Sequence, residues 1–250
     1  MNDTLFKYVT HLADNSLIMG HRLSEWTGHG PSLELDIAIT NISLDLIGQS
    51  RNFYQYAALI KGDRCIEDSL AYLRDAHEFR NVLLVELHNG DWAKTILKIF
   101  FFSAYQYFFN KKLIDSSDEQ LSAIAEKSLK EVTYHLRWSS EWVIRLGDGT
   151  EESHNKILVA LNELWPYTGE LFKAADYELQ AANDKIGIDV NLLKDDWDKK
   201  IKEVFAEATI PFPGTERLQS GGKEGIHTEH LGFILAEMQF LQRAYPGCDW

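Results

Sequence analysis

The chain has 250 residues, of which 45% are hydrophobic and 12% aromatic, and its charged side chains sum to a formal net charge of −13. This charge excludes a strongly basic nucleic-acid-binding protein, and the apolar content is too high for a disordered chain. Five prolines and 16 glycines are few for a turn-rich all-β fold, so helix is the expected class.

Apolar residues at helical spacing, separated by turn residues, predict a series of helices. In chain order they span residues 5–26, 32–61, 67–87, 92–114, 118–146, 150–179, 191–208 and 227–245. Pro166 and Gly169 can kink the sixth helix, and we expect an exposed loop over residues 211–225. No repeat or composition shift marks a boundary. We therefore predict one all-α domain over residues 1–250, with four long antiparallel helices in a bundle.

The cysteines and the distribution of apolar residues exclude several other classes of protein. Cys65 and Cys248 lie far apart, which excludes a disulfide framework and a thiolate metal site. The N-terminus lacks the pattern of a secretory signal, and no apolar run reaches the roughly 20 residues that span a membrane. We expect a cytoplasmic protein with no membrane or nucleic-acid partner.

Long helices raise the question of a ferritin-like di-iron site, which needs one Glu on each of two helices and Glu-x-x-His on the other two. On the second helix the corresponding position reads Asp45-Leu-Ile-Gly48, a short carboxylate with no imidazole after it. On the fifth helix it reads Glu131-Val-Thr-Tyr134, with the imidazole displaced by one residue to His135. Both motifs are broken, so we predict no metal ligands and no catalytic residues here.

Two other Glu-x-x-His matches occur, at Glu151–His154 and at Glu224–His227. The first directly follows a Thr cap, and the second spans Gly225 in the irregular stretch, so neither faces a bundle core. Acidic residues are favoured in the first turn of a helix for dipole reasons alone. For both pairs we favour this dipole effect over metal binding, and for His227 with His230 we favour a hydrogen-bonding role at a helix start.

A stripe of small polar residues on the second helix is more informative. Solvated helix faces usually carry Lys and Glu, whereas small polar groups at helical spacing indicate a buried hydrogen-bonded network. The fifth helix offers a matching stripe. The predicted network consists of Asn41, Asp45, Gln49, Asn52, Glu131 and His135. An ordinary polar contact between two helices is the alternative.

Other catalytic templates are missing from the sequence, including a nucleophile elbow, a Walker loop and a dinucleotide fingerprint. Gly221-Gly222 followed by Lys223 and Gly225 could cradle a phosphate, but a solvated loop is the favoured interpretation of one glycine-rich stretch.

Several segments together resemble one known family. They are residues 34–52, 81–86, 130–137, 221–231 and 236–243. These stretches are similar to the family of C subunits of the bacterial ring 1,2-phenylacetyl-CoA epoxidase, and the resemblance covers essentially the whole chain.

The resemblance implies a ferritin-like, non-catalytic structural subunit that pairs with a homologous, iron-bearing catalytic partner, the A subunit. A reductase and a further small subunit would complete the oxygenase, which epoxidises the aromatic ring of phenylacetyl-CoA. No cofactor is then expected in this chain, and iron is expected in the partner. Because the substrate carries phosphates, Arg217 and Lys223 are candidate contacts for the CoA moiety.

Two alternatives stay open at this point. The chain could be an independent di-iron enzyme that uses rearranged ligands such as Asp45, Glu131 and His135, or a helical binding module unrelated to oxygen chemistry.

A further expectation concerns the aromatic helix from Trp92 to Phe109. Thirty aromatic residues exceed the needs of a lone bundle core, so we expect part of this helix to be buried against a partner.

Overall fold

The structure of the chain is a computed structural model that describes residues 3–214 and 218–248. Within these ranges it contains helices and no β-strand, so the predicted all-α class is confirmed. The α-helices are α1 (Asp3–Ser24), α2 (Leu33–Lys61), α3 (Glu67–Tyr72), α4 (Leu83–Glu86), α5 (Trp92–Leu113), α6 (Glu119–Gly147), α7 (Glu151–Leu164), α8 (Asp176–Asn183), α9 (Lys194–Glu207), α10 (Glu229–Met238) and α11 (Phe240–Ala244).

Short 3-10 helices complete the secondary structure. They span Ala76–Glu78, Trp165–Phe172, Val190–Leu193 and Gly222–Glu224. None of the helices within the described ranges is long and apolar enough to cross a membrane. The chain divides into two compact units, one formed by Met1–His88 with Gly221–Trp250 and the other by Asn89–Ser220. A single domain over the whole chain stays a prediction.

The first unit is built on an antiparallel pair, α1 and α2. The hydroxyl of Ser43 donates to the carbonyl oxygen of Gly20 over 2.7 Å, close to the turn between the helices. At the other end, the Lys61 ammonium lies 5.7 Å from the centre of the Phe6 ring. The two helices therefore run side by side over nearly their whole length.

The second unit is built on a corresponding pair, α5 and α6. Their adjoining ends are joined by the Ser122 hydroxyl, which donates to the carbonyl oxygen of Ile114. At the far end the Trp92 ring lies edge-on to Trp142, with 6.2 Å between centroids. Two long antiparallel pairs are what a ferritin-like bundle contains, and the fold agrees with that class.

Helix starts were predicted well where a side chain caps the backbone. Asp91 accepts from the amide of Lys94 and Asp118 from that of Leu121, both over 2.9 Å. Thr150 and Ser153 form a reciprocal capping box at the start of α7. Such caps satisfy amide groups that have no partner inside the helix, so they mark its first turn.

The sixth predicted helix, over residues 150–179, is wrong in its second half. The α-helix ends at Leu164, a 3-10 helix begins at Trp165, and Pro166 is the next residue. Proline has no amide hydrogen to continue the helical ladder and its ring opposes the preceding turn, so the α-helix ends here instead of kinking.

Candidate functional site

The buried polar groups of the first unit begin with one stripe on α1. His11, Asp14 and Asn15 are spaced i, i+3 and i+4, so they share a face of the helix, and all three are buried. Arg22 continues the same face two turns later and is also buried. Buried polar groups need partners, so the backbone opposite this face must supply them.

The partners are backbone groups in residues 79–82, which are not helical. The Arg80 amide donates to Asp14 Oδ2 over 2.8 Å, and the Val82 amide donates to Asn15 Oδ1 over 2.9 Å. His11 Nδ1 lies 2.6 Å from the carbonyl oxygen of Arg80. Asn15 Nδ2 faces His11 Nε2 over 3.3 Å, so Nε2 accepts and Nδ1 carries the proton that is donated to Arg80.

These contacts explain why the third predicted helix, over residues 67–87, is wrong. The α-helix ends at Tyr72, and only the short 3-10 helix Ala76–Glu78 and the single-turn helix α4 follow before residue 87. In an α-helix each backbone amide would bond within the segment. Here side chains of α1 take up the backbone groups of Arg80 and Val82, so the segment stays extended and still buries its polar groups.

A charged group lies at the centre of this arrangement. The Arg74 guanidinium grips both carboxylate oxygens of Asp14, which is fully buried, and the Tyr54 hydroxyl donates to the same carboxylate. Arg74 Nη2 also donates to the Tyr54 oxygen over 2.9 Å. Burial lowers the pKa of Arg74, but the charges of Asp14, Tyr54 and Glu78 and the hydrogen bond to Asp14 together outweigh it, so that pKa is raised. Burial and the Asp14 charge both raise the pKa of Tyr54, so it stays neutral.

Glu86, at the end of α4, collects donors from three directions. Its Oε1 accepts the Thr228 amide over 2.6 Å, and its Oε2 accepts Asn81 Nδ2 over 2.9 Å. His227 Nδ1 lies 2.8 Å from the same Oε2. Arg22 Nε donates to the Glu86 carbonyl over 2.9 Å. The carboxylate thereby ties the start of α10 to the segment before α5.

The glycine-rich stretch 221–225 packs closely against the same segment. A Cβ at Gly222 would overlap the carbonyl oxygen of Asn81, and one at Gly225 would overlap that of His77. Gly225 also has a φ of 83°, in the left-handed region that favours glycine. These glycines allow two backbones to approach each other, so an open phosphate cradle is not what they form.

Lys223 requires a correction. Its side chain was expected on an exposed loop, whereas only 4% of the residue is exposed. The exposed-loop prediction for residues 211–225 is right for positions such as Pro211 and Gly214 and wrong for Gly222 and Lys223. A residue this buried does not offer the exposed contact for a CoA phosphate that the loop was expected to provide. Arg217, the other candidate contact, lies outside the described residues.

The α2 residues of the predicted polar network differ in burial. Gln49 is buried, Asp45 and Asn52 are half-buried, and Asn41 is exposed, so the prediction is wrong for Asn41. At Gly48, where a di-iron helix would place an imidazole, no atom lies within 4 Å of an added Cβ. The position has space and no donor.

The α6 residues also differ from one another. His135 is buried and Glu131 is half-buried, whereas Tyr134 is 38% exposed. A network joining α2 to α6 stays a prediction, because the two helices belong to different units. In the part of the chain that the structure describes, no group of three or more His, Cys, Asp or Glu could hold a metal ion. The donor set at the degenerate positions does not fit a di-iron centre.

Both other Glu-x-x-His pairs hold backbone instead of joining their own two side chains. His154 Nδ1 donates to the Gly147 carbonyl over 2.6 Å, closing the turn between α6 and α7. His227 contacts Glu86 and the Phe79 carbonyl, and Glu224 is exposed. The predicted role of these residues at helix starts agrees with the geometry.

Comparison with known proteins gives a family that matches the whole chain. Residues 1–250 match the family model described as phenylacetic acid catabolic protein. The chain belongs to this family. A curated relative from Escherichia coli (strain K12), the C subunit of 1,2-phenylacetyl-CoA epoxidase, is 45% identical over 246 residues, which are 98% of this chain and 99% of the relative. Membership of the family indicates a role in phenylacetate catabolism.

Sequence reasoning missed the polar face of α1 in this family member. The prediction of the first helix rested on its apolar positions, from Leu5 to Leu23, and did not consider the polar residues between them. The rule that identified the polar stripe on α2 applies equally to His11, Asp14 and Asn15, because their spacing puts three small or ring-bearing polar groups on one face. Their partners could not be found in this way, since Arg74 and Arg80 are distant in sequence and lie in a segment that was predicted as helix.

Proposed function

We propose that this chain is the non-catalytic structural subunit of a multicomponent di-iron oxygenase that epoxidises the aromatic ring of phenylacetyl-CoA. The observation that carries the proposal is the 45% identity to the C subunit of the Escherichia coli epoxidase, which extends over almost the full length of both chains.

The chemistry of the residues supports a non-catalytic role. A di-iron centre of the ferritin-like type uses carboxylates and two imidazoles. At the two imidazole positions this chain has Gly48, which carries no donor, and Tyr134, whose side chain is partly exposed. The buried carboxyl groups of Asp14 and Glu86 in the first unit accept hydrogen bonds that hold the fold together.

We infer that the partner is a homologous catalytic subunit that carries the iron, and that a reductase and a small subunit belong to the same system. Support comes from the relative's name, which describes it as one subunit of an epoxidase. Phenylacetyl-CoA would be bound by the assembled complex. A direct contact between this chain and the CoA phosphates is not part of the proposal, because Lys223 is buried.

The test is to purify the tagged chain alone and together with the catalytic subunit, and to measure iron in both preparations after anaerobic loading with Fe(II). We expect the isolated chain to bind no stoichiometric iron and the co-expressed pair to elute from gel filtration as one iron-containing complex. Asp45→Ala should leave the iron content of that complex unchanged. Glu151→Ala, which removes an exposed carboxylate, is the matched control.

Two outcomes would contradict the proposal, and each supports a different alternative. About two iron atoms per isolated chain, lost in Asp45→Ala and His135→Ala but kept in Glu151→Ala, would identify an independent di-iron enzyme with rearranged ligands. Two separate elution peaks at micromolar concentration, with no iron in this chain, would instead favour a helical binding module unrelated to oxygen chemistry.

A further inference from the structure

The imidazole of His227 is placed between two acceptors. Nδ1 lies 2.8 Å from Glu86 Oε2, and Nε2 lies 3.0 Å from the carbonyl oxygen of Phe79. A neutral imidazole has one N–H, so it can donate to only one of them and must turn a lone pair toward the other. Both contacts are satisfied together only when the ring is doubly protonated.

The carboxylate on the other side of this pair has only donors around it. Glu86 is fully buried, and its two oxygens receive the Thr228 amide, Asn81 Nδ2 and His227 Nδ1. A protonated Glu86 would have to place its own proton against one of these donors. The geometry is therefore that of a carboxylate paired with an imidazolium in the interior of the first unit.

Other charged groups from the adjoining segments act on the same pair. Asp14 on α1 adds a second negative charge that favours protonation of His227. Arg22 donates to the Glu86 carbonyl, and Arg80 Nη1 donates to the Phe79 carbonyl over 3.1 Å, which adds positive charge near both acceptors. Further charged or titratable groups on the adjoining segments include Arg74 beside the Phe79 ring and His11 at the Arg80 carbonyl, and the segment of His227 itself carries Lys223, Glu224, Glu229 and His230.

We propose that His227 and Glu86 form a proton-operated latch, which fastens residues 221–231 to residues 77–86 while the imidazole is charged and releases them when it loses its proton. The latch does not depend on the proposed function, because all of its contacts are hydrogen bonds within the first unit and involve neither a substrate nor a partner subunit. The latch comprises His227, Glu86, the Phe79 carbonyl and the Thr228 amide.

The direction of the pH effect follows from the environment of the ring. Burial lowers the pKa of His227, but the hydrogen bond and charge of Glu86 outweigh it, so the pKa lies above its ordinary value. For a group of this kind the stabilisation is fully present below about pH 6.5, the unfolded value, and is lost as the pH rises through the folded pKa. Mildly alkaline conditions should therefore open the latch.

Release should be local because the other end of the segment is held by hydrogen bonds that involve neither His227 nor Glu86. Gln239 Nε2 donates to the carbonyl oxygens of Ala71 and Arg74 over 3.2 and 3.0 Å. Arg243 Nη2 donates to Asp75 Oδ1 and to the Arg74 carbonyl, both over 2.9 Å. Residues 239–243 should thus stay docked while residues 221–231 become mobile.

The test combines a titration with hydrogen exchange on the full chain. The Cε1 proton of each histidine is followed by NMR between pH 5 and 9, and amide exchange is compared at the two ends of the range after correction for the intrinsic pH dependence. We expect His227 to titrate above the ordinary histidine value. Protection of the Thr228 amide should fall about tenfold for each pH unit by which folding raises the pKa of His227, with protection near Gln239 unchanged.

Variants separate the latch from a purely structural contact. Glu86→Gln should lower the pKa of His227 below its ordinary value, because the ring stays buried and loses its counter-charge. His227→Gln should abolish the pH dependence of exchange over residues 221–231, whereas His154→Gln, a matched change in the second unit, should preserve it. An ordinary or lowered pKa of His227 in the wild-type chain, or equal protection of Thr228 at both ends of the range, would overturn the proposal without reference to any variant.

Discussion

The two units of the chain fill their interiors in different ways. Around residues 73–88 of the first unit, the buried side chains that contact the backbone include His11, Asp14, Asn15, Arg22 and Arg74. Around α5 of the second unit, they are mostly aromatic and aliphatic. Phe101 packs against Trp165, Trp197 and Phe205, with ring centroids 5.7 to 6.2 Å apart.

The difference follows from how each backbone satisfies its own polar groups. α5 is a regular helix of 22 residues, so its amides and carbonyls bond within the helix and its side chains are available for apolar packing. The buried stretch from 79 to 82 has no such internal ladder. Burying these amides and carbonyls without partners would cost several kilocalories per mole, so polar side chains from α1, together with His227 just before α10, must supply the partners.

Among the residues of the two regions, Asp14 is the one whose substitution should lower the stability of the chain most. Asp14→Ala removes the carboxylate that pairs with Arg74 and accepts from Tyr54 and the Arg80 amide, which leaves a buried cation uncompensated. We expect a loss of about 3–5 kcal/mol in the free energy of unfolding, measured by urea denaturation. A loss below about 1 kcal/mol, typical of an exposed pair, would show that water replaces the carboxylate and that the cluster is not a buried core.

Substitutions in the glycine-rich stretch, which packs closely against residues 77–82, should change stability less than Asp14→Ala, and Gly232 provides a control in the same unit. Gly222→Ala places a methyl group against the Asn81 carbonyl, and overpacking of this kind should cost about 1–3 kcal/mol. Gly232→Ala, within α10, meets no atom within 4 Å and should stabilise the chain by about 0.5–1 kcal/mol. Thermal midpoints that shift in the same direction for both variants would contradict this account of residues 221–225.

The aromatic region should be the more tolerant of the two. Ile96 on α5 is fully buried, and Ile96→Leu keeps its volume while changing its shape. We expect a cost below about 1.5 kcal/mol by urea denaturation. Asp14→Asn keeps the shape of its side chain equally well but removes the charge that Arg74 requires, so it should cost more than Ile96→Leu. Equal costs for the two conservative changes would remove the distinction between the regions.

The expectation that part of α5 is buried against a partner stays a prediction, and most of the aromatic residues of the helix are already used within the chain. Phe100, Phe101 and Phe102 are buried within the chain, as are Tyr105 and Phe109. The number of aromatic residues could not reveal this, because it does not show which other helices of the same chain pack against α5 and bury its rings. Phe205 and Trp197 on α9 lie against α5 and use the rings that had been assigned to a partner.

Prediction from the sequence succeeded where local physics decides the outcome. Periodicity and caps determined α5 and α6 to within a residue or two, since Asp91 and Asp118 satisfy the first amides of these helices by themselves. The resemblance to the family was likewise confirmed, because it rests on residues that can be read directly. The single-domain prediction, the polar network between α2 and α6, and the cytoplasmic location stay predictions.

The sequence by itself determined the helical class, the long helices and the family, because hydrophobic periodicity, capping residues and extended similarity are properties of neighbouring residues. Only the tertiary structure decided that residues 73–82 leave the helix, that Lys223 is buried and that His227 pairs with Glu86. Each of these outcomes depends on which distant side chain supplies a hydrogen bond. A backbone segment adopts whichever arrangement satisfies its buried polar groups, and partners such as Asp14 for Arg80 lie 66 residues away.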